Sequence, residues 1–416
     1  MRRRLPPALQ QRDFGFLWSA ILSMRFAENM IAVAVGWQVY AIHKNPLDLG
    51  LVGLCEFLPL PILALPAGNL ADRMPRRLIA AISLTIMVGV AGALLAVTVS
   101  DAGVVWPYFL LAGATGVASA IGWPASQALT PEVVQVDLVP NAVALRSVAS
   151  TTAVITGPAV GGLLFAWRPE AVYALAAFLF AVAAVCMIAL RVPRRARDED
   201  EAVGLDALVE GLRFVWRTKM LLGAITLDLF AVLFGGGIAL LPIYARDILD
   251  VGPVGLGVLR AAPAVGAFAG ALLVARRPLG RAAGPTLILV VVLFGALNIV
   301  WGASTWIPLT LAALACAGFV DMFSVNIRST TVAMVTPNTL RGRVGAVEMV
   351  FISASNELGA FESGAVAALF GAVTTVVAGG IATIGIALAS IKLFPDLARM
   401  GKLEDLRPEP AATLAK

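Results

Sequence analysis

The chain has 416 residues, of which 59% are hydrophobic and 14% are charged, and its mean hydropathy is +0.89. Soluble proteins of this length carry a much larger charged fraction, so the composition excludes an ordinary water-soluble enzyme or binding domain. The formal net charge of +5 is small for so long a chain.

Apolar blocks of 18 or more residues follow one another along the whole chain. A helix of that length crosses about 30 Å of hydrocarbon. The sequence therefore predicts an all-α polytopic membrane protein with twelve transmembrane helices. The predicted spans, numbered 1 to 12 in chain order, are 16–41, 49–71, 78–99, 104–128, 140–165, 171–191, 220–245, 253–275, 284–304, 306–331, 344–370 and 372–394.

The distribution of Lys and Arg predicts the orientation of these spans. With the N-terminus in the cytoplasm, 24 of the 31 basic residues fall in cytoplasmic segments, three fall on the opposite side and four lie within spans. Basic residues concentrate in the cytoplasmic segments of membrane proteins. We therefore expect both termini to be cytoplasmic, and the positive net charge gives no reason to expect binding to nucleic acid.

The long charged connection between spans 6 and 7 divides the chain into halves. We predict an N-terminal six-helix bundle at 1–191, a cytoplasmic linker at 192–219, a C-terminal six-helix bundle at 220–395 and a cytoplasmic tail at 396–416. Within the linker, LDALVEGLRFVW has apolar residues at helical spacing, which predicts an amphipathic surface helix. Short motifs recur in the two halves: RMPRR and RRPLGR after spans 2 and 8, TPEVV and TPNTL after spans 4 and 10.

Charged residues inside the membrane are costly, so each is a functional candidate. Spans 3, 6, 9 and 12 contain no charge away from their ends, and neither does span 4. The recurrence at every third span indicates that spans 3, 6, 9 and 12 face lipid or scaffold, while the others line or flank a polar interior. Structural ion pairs are the alternative, and Arg146, Arg328 and Glu348 lie near cytoplasmic ends where they could reach the aqueous surface. The intramembrane charges are Arg25, Glu28, Glu56, Arg146, Asp228, Arg260, Asp321, Arg328, Glu348, Glu357 and Glu362.

Residues for enzymatic or metal chemistry are scarce. The three cysteines lie in three different spans, and the single histidine, His43, lies in a predicted loop. No HExxH, GxSxG or Gly-rich phosphate loop is present. We therefore expect no enzymatic activity, no metal site and no cofactor. Motifs alone leave a membrane receptor open, although the repeated halves favour a carrier that alternates between two open states.

The loop after span 2, GNLADRMPRR, places one acid and three arginines between two apolar spans. Together with twelve spans in two halves, it resembles the signature of the major facilitator superfamily, Gly-x-x-x-Asp-Arg/Lys-x-Gly-Arg-Arg/Lys. Pro75 replaces the second glycine of that signature, which stiffens the turn. The matching residues are Gly68, Asp72, Arg73, Arg76 and Arg77.

The resemblance implies a conformational latch in this loop. In that family the acid lies against the positive N-terminal end of helix 11, and the arginines bind neighbouring acids and carbonyl groups. Asp72 and its arginines would then hold the two bundles closed on the cytoplasmic side. The alternative is that the arginines only enforce topology, which leaves Asp72 unexplained.

Span 5 contains GPAVGG, with Gly157, Pro158, Gly161 and Gly162, and this resembles the end of the family's antiporter motif. Ala144 and Ala153 stand where the motif has glycines further upstream.

A branch of this family, the one that contains the enterobactin exporter, is resembled by several stretches of the chain: VGWQVYAI, GLLFAW, GLRFVWRT, TPNTLRGRVGAV and SNELGAFESG.

This resemblance implies a proton-coupled exporter, or antiporter, in the bacterial inner membrane. Its expected partners are a small organic substrate, siderophore-like or drug-like, together with protons and the lipid bilayer, and we expect a monomer. Transport would proceed by alternating access. The alternatives are an uptake carrier or facilitator for a metabolite, and a lipid flippase.

With no histidine placed in the membrane, proton coupling requires a buried carboxylate. Spans 1, 7 and 10 line the central cavity in the family, which makes Glu28, Asp228 and Asp321 the candidates. Arg25 lies one turn from Glu28 and favours its ionised form, so we expect Asp228 or Asp321 to carry the proton. Two further candidates in span 11 are Glu357 and Glu362.

Overall fold

The computed structural model describes residues 6–63, 74–191, 205–276 and 282–407, with the backbone alone for 205–208. Every regular element in these ranges is helical. Twelve long helices, numbered here after the predicted spans, are α1 Arg12–His43, α2 Pro46–Phe57, α3 Arg76–Ser100, α4 Trp106–Leu129, α5 Val139–Trp167, α6 Pro169–Ala189, α7 Lys219–Gly235, α8 Gly252–Arg276, α9 Ala283–Ala303, α10 Ile307–Val335, α11 Arg341–Phe370 and α12 Ala372–Leu393.

Eleven helical segments of the described chain are long and apolar enough to cross a membrane. Two of them need continuations: α2 resumes after Leu58 and runs on to Leu63, and α7 continues through short 3-10, α and π turns to Ile248. The exception is α11, whose 30 residues would extend about 45 Å but include several charged side chains. Eleven of the twelve predicted spans are thus confirmed by length and composition.

Proline and tight turns set several helix boundaries. Proline occupies the first turn of α4, α5, α6 and α10. Backbone N–H groups in the first turn make no hydrogen bond within the helix, so the N–H that proline lacks is not needed there. Between α1 and α2, the side chain of Asn45 accepts the amide hydrogen of Leu47 at 3.1 Å. Gly371, with φ +84°, is the whole connection between α11 and α12 and adopts a backbone conformation that favours glycine.

The described chain forms two compact units. Unit 1 contains residues 6–44, 51–191 and 250–261, and unit 2 contains 45–50, 205–249 and the described residues from 262 to 407. In unit 1, α1 packs against α5 and α6, while α3 packs against α4 and α6. Phe14, Leu17, Ile79, Phe180 and Met187 are among the buried side chains at these contacts.

Unit 2 repeats the helix pairings of unit 1. Here α7 packs against α11 and α12, while α9 packs against α10 and α12. Adding six to each helix number of the four pairs in unit 1 gives these same four pairs. The recurrence supports the internal repeat that short motifs indicate in the sequence.

Large apolar side chains project outward from many helices. Leu110 is 65% exposed, Leu163 60%, Phe178 62% and Leu388 54%. Such a surface in water would cost a large free energy, whereas lipid chains solvate it without cost. The exposed residues therefore fit helices that are surrounded by hydrocarbon.

Two further segments pack against unit 2. The linker helix, Leu205–Arg217, lies in the segment where the sequence predicts an amphipathic surface helix, and it buries Phe214 and Val215 against a cluster that includes Val344 of α11. The C-terminal segment, residues 395–407, begins with a short helix, Pro395–Ala398. Its Met400 and Gly401 carbonyl groups accept the amide hydrogens of Gly284 and Ala283 at 3.0 and 2.9 Å.

Candidate functional site

Two basic residues of unit 1 have fixed partners. On α1, Arg25 and Glu28 form an ion pair at 3.1 Å, as their spacing of three residues predicts, and both side chains are about 30% exposed. On α5, Arg146 donates to the carbonyl oxygen of Ser126 at 3.1 Å and to Thr130 Oγ1 at 2.7 Å, near the end of α4. Arg146 therefore holds two helices of unit 1 together.

A buried cluster of three charges joins α7, α10 and α11 in unit 2. Arg328, which is 5% exposed, forms an ion pair with Asp228, and its Nε lies 3.5 Å from Glu348 Oε1. The contacts are ion pairs rather than hydrogen bonds, because Arg328 Nε and Nη1 have no partner in hydrogen-bonding geometry. The alternative in which Arg328 and Glu348 reach the aqueous surface is wrong, since their side chains are 6% and 18% exposed.

This cluster was not predicted from the sequence. Asp228 was a candidate proton carrier because span 7 lines the central cavity in the family, and it has no basic residue within a turn on its own helix. Its cation comes instead from another helix, which periodicity along one helix cannot show. One arginine between two carboxylates leaves the cluster with a formal charge of −1.

Asp321 lies two turns before Arg328 on α10 and is placed differently. Within the described part of the chain its partly buried carboxylate forms no hydrogen bond and no ion pair. On α11, Glu357 and Glu362 are also partly buried, and Glu362 accepts a long hydrogen bond from Ser363 at 3.5 Å. Among its described residues, unit 2 thus contains a paired set of buried charges and, in Asp321, a partly buried carboxylate that lacks such a pair.

The loop signature is only partly described. Gly68, Asp72 and Arg73 lie outside the described residues, so the predicted position of Asp72 stays a prediction. Arg76 forms an ion pair with Glu132 at 2.6 Å, just after α4, and Arg77 donates to the carbonyl oxygen of Leu190 at the end of α6. The two arginines bind an acid and a carbonyl group, and they connect the start of α3 with the ends of two neighbouring helices.

The glycines of GPAVGG pack where no side chain fits. A Cβ atom added to Gly161 would lie 2.9 Å from the Cα atom of Met30 on α1, and one added to Gly157 would lie 2.9 Å from Asn29 Cβ. At Gly162 it would lie 2.3 Å from the carbonyl oxygen of Pro253 at the start of α8. Small residues allow such backbone-to-backbone crossings between membrane helices.

An equivalent crossing exists in unit 2 and was missed from the sequence. A Cβ atom added to Gly364 on α11 would lie 2.7 Å from the Cα atom of Gly50 on α2, and one added to Gly50 would lie 2.9 Å from the carbonyl oxygen of Phe361. Helices α5 and α11 occupy corresponding places in the two repeats. Aligning the halves around GPAVGG could have drawn attention to Gly364.

Groups for metal or nucleophilic chemistry are not assembled in the described ranges. No three His, Cys, Asp or Glu side chains there come together as metal ligands would. The polar contacts between helices in these ranges are ion pairs, contacts to backbone carbonyl groups and neutral side-chain hydrogen bonds, such as the one that Tyr173 donates to Gln38. Such an arrangement can hold and release helices and can move a proton on a carboxylate.

A family model described as transmembrane secretion effector, within the major facilitator superfamily, matches residues 5–411. The chain belongs to this family of transporters. The match covers nearly the whole chain, so it includes both repeats and the linker. The resemblance of the loop signature to this superfamily is thereby confirmed, and the fold and family are those of transporters rather than enzymes.

Two curated relatives of this transporter are efflux proteins. It is 28% identical over 364 residues to the multidrug efflux pump Tap of Mycolicibacterium fortuitum, covering 84% of this chain and 87% of that protein. It is 24% identical over 276 residues to macrolide efflux protein A of Streptococcus pyogenes, covering 62% of this chain and 65% of that protein.

Solved structures of other transporters share the fold. A bacterial homologue of the human lysosomal transporter Spinster aligns with a TM-score of 0.73 at 15% identity, covering 96% of this chain and all of that one. The nucleoside transporter NupG aligns with a TM-score of 0.68 at 15% identity, covering 92% and 99% of the two chains. At such identities the likeness concerns the fold alone.

Proposed function

We propose that this transporter exports a small organic molecule from the cell and that an inward flow of protons drives the export. The observation that carries the proposal is the match to Tap, which extends over most of both chains and therefore includes both repeats. Macrolide efflux protein A points to the same direction of transport. A drug-like molecule fits these relatives as substrate. A siderophore-like molecule is the other class of substrate that the sequence resemblance implies.

The proposed arrangement is a single chain in the bacterial inner membrane with both termini in the cytoplasm. In this arrangement α11 also crosses the membrane and brings the number of membrane helices to twelve, although its charges make it less apolar than the other eleven. Its acid Glu348 lies against Arg328 inside unit 2, so that charge is neutralised within the protein. Buried pairing of this kind is how charged side chains are accommodated in membrane helices.

Asp321 is our choice for the proton-carrying group. Asp228 and Glu28 both face a permanent guanidinium charge, from Arg328 and Arg25 respectively, and such a charge favours the ionised carboxylate. Asp321 has no such partner within the described residues, so its charge depends on its access to water. A group of this type can bind a proton from one side and release it on the other.

The loop after α2 is proposed to act as the cytoplasmic latch, with Asp72 against the N-terminal end of α11. Arg76 and Arg77 fix the start of α3 through Glu132 and the Leu190 carbonyl group, which supports a rigid attachment for the loop. A switch of this kind needs to change the balance between two states by only a few kcal/mol.

The test uses the purified chain in proteoliposomes with an acidic lumen, and a fluorescent efflux-pump substrate is supplied outside. We expect accumulation against the substrate gradient, and we expect Asp321→Asn to abolish it while leaving exchange of labelled for unlabelled substrate. Asp137→Asn is the matched control, because Asp137 is an exposed acid just after α4.

Three outcomes would contradict parts of the proposal. Gradient-driven transport by Asp321→Asn at the rate of the parent chain would refute the assignment of the proton. Transport that ignores the pH gradient would indicate a facilitator. Net movement of the substrate in the direction of uptake, or of labelled lipid between leaflets, would replace the exporter with a carrier or a flippase.

A further inference from the structure

An open groove of about 690 Å³ lies beside the C-terminal segment of unit 2. It is lined by the junction of the linker helix with α7 and by residues 396–406. Its apolar lining includes Met220, Met400 and Leu406. None of the residues assigned to transport lines it. The charged residues around it are Arg217, Lys219, Arg399, Lys402, Asp396 and Asp405.

Four cations and two carboxylates give the groove a formal charge of +2. Within the described residues, the side chains of Lys219, Arg399 and Lys402 form no ion pair and no hydrogen bond. The two carboxylates therefore do not neutralise these three cations. Unpaired cations that surround one concave surface create a field that attracts an anion.

The start of α7 contributes a second attraction for an anion. Lys219 is the first residue of this 17-residue helix, and both Lys219 and Met220 line the groove. The N-cap residue, Thr218, makes no capping hydrogen bond with its side chain. The first amide hydrogens of any helix have no partner within that helix, and together with the helix dipole they favour negative charge at this end.

The wall formed by the C-terminal segment is fixed in place. Leu397 is fully buried, Met400 is 3% exposed, and the carbonyl groups of Met400 and Gly401 accept amide hydrogens from the start of α9. Arg399 thus lies between two buried residues, and Lys402 directly follows a residue whose carbonyl group is hydrogen-bonded to α9. The groove is therefore preorganised, which lowers the entropy cost of binding.

The groove also lies at the ends of membrane helices. It opens where α7 begins, and it lies close to the end of α12 and the start of α9, which the C-terminal segment contacts. Trp216, next to Arg217, is 62% exposed. Exposed tryptophan beside basic residues is typical of protein surfaces at the level of lipid headgroups.

We propose that this groove binds a phosphate group, carried either by an anionic lipid headgroup or by a soluble anion. Arginine and lysine donate charge-assisted hydrogen bonds to phosphate oxygens, and the groove presents both residue types around one opening. Binding would join the linker helix, the start of α7 and the C-terminal segment through a single ligand.

The test compares three full-length proteins in nanodiscs. One is the unaltered chain, the second carries Lys219→Gln, Arg399→Gln and Lys402→Gln, and the control carries Lys44→Gln, Arg213→Gln and Lys392→Gln. The control removes the same charge from exposed cations that do not line the groove. The thermal unfolding midpoint is measured in phosphatidylcholine discs, in discs with added phosphatidylglycerol, and in phosphatidylcholine discs with inorganic phosphate at constant ionic strength.

We expect an anion to raise the midpoint of the unaltered chain and of the control, and we expect the groove variant to lose this shift. A shift produced by phosphatidylglycerol identifies the ligand as a lipid, and one produced by inorganic phosphate identifies a soluble anion. Equal responses of the groove variant and the control to both anions would overturn the proposal. If the groove variant does not fold, Arg399→Gln alone is compared with Arg213→Gln, and the same criterion applies.

Discussion

Replacing Arg328 by methionine removes the cation that Asp228 and Glu348 share, while methionine keeps much of the apolar volume of the side chain. Two carboxylates that are 13% and 18% exposed then remain in the interior without a partner. We expect this variant to be strongly destabilised, because burying an unpaired charge costs far more than a lost surface contact.

The size of the effect follows from the geometry. At 3.5 Å, the separation between Arg328 Nε and Glu348 Oε1, two unit charges attract by about 5 kcal/mol in an effective dielectric constant near 20. Desolvation offsets much of that gain while the pair is intact. Removing one partner of a buried pair nevertheless costs about 3–5 kcal/mol, because the other charge stays buried.

The assay is thermal unfolding of the purified protein, followed by tryptophan fluorescence. Arg76→Met is the comparison, because the pair of Arg76 with Glu132 is 34% and 24% exposed and such pairs contribute about 0–1 kcal/mol. The triple variant Arg328→Met, Asp228→Asn, Glu348→Gln should recover much of the lost stability. Equal unfolding midpoints for Arg328→Met and Arg76→Met, or no recovery in the triple variant, would refute the reasoning.

Three further outcomes are expected. Gly162→Val should lower both stability and transport, because a Cβ atom at this position would lie 2.3 Å from a backbone oxygen. Gly92→Val should be tolerated, because the space around Gly92 is open. The two variants are compared by their unfolding midpoints and by substrate uptake into vesicles. Phe214→Ala should lower the free energy of unfolding by about 3–5 kcal/mol, since Phe214 is 2% exposed, and Val209→Ala should lower it little. Equal unfolding midpoints for the two variants would contradict the docking of the linker helix. Asp72→Asn should fold normally yet transport poorly, and unchanged transport in proteoliposomes would exclude the latch.

Much of the helical framework could be predicted from the sequence, because apolar blocks of sufficient length have few other stable structures in a membrane. Eleven spans and the linker helix follow from composition and periodicity. Boundaries were less accurate: α10 continues to Val335, four residues beyond its predicted span 306–331. The predicted span ends with the polar run of residues 328–331, whereas the helix continues through the four apolar residues that follow it.

Contacts between helices could not be predicted in the same way. The pairing of Arg328 with Asp228 and the crossing of Gly364 with Gly50 join residues that are far apart in the chain. A single sequence contains no information about which faces of two helices meet. By contrast, the pair of Arg25 with Glu28 lies on one helix face and was predictable from its spacing.

The docking of the C-terminal segment on α9 has a consequence for biosynthesis. The ribosome completes α9 long before it adds Met400 and Gly401, whose carbonyl groups accept the first amide hydrogens of that helix. Until then those amide hydrogens must bind water or lipid headgroups, so α9 enters the membrane with an unfinished end. Unit 2 therefore reaches its final structure only when the last part of the chain has left the ribosome, and an early stop codon after α12 would leave every helix present but this end open.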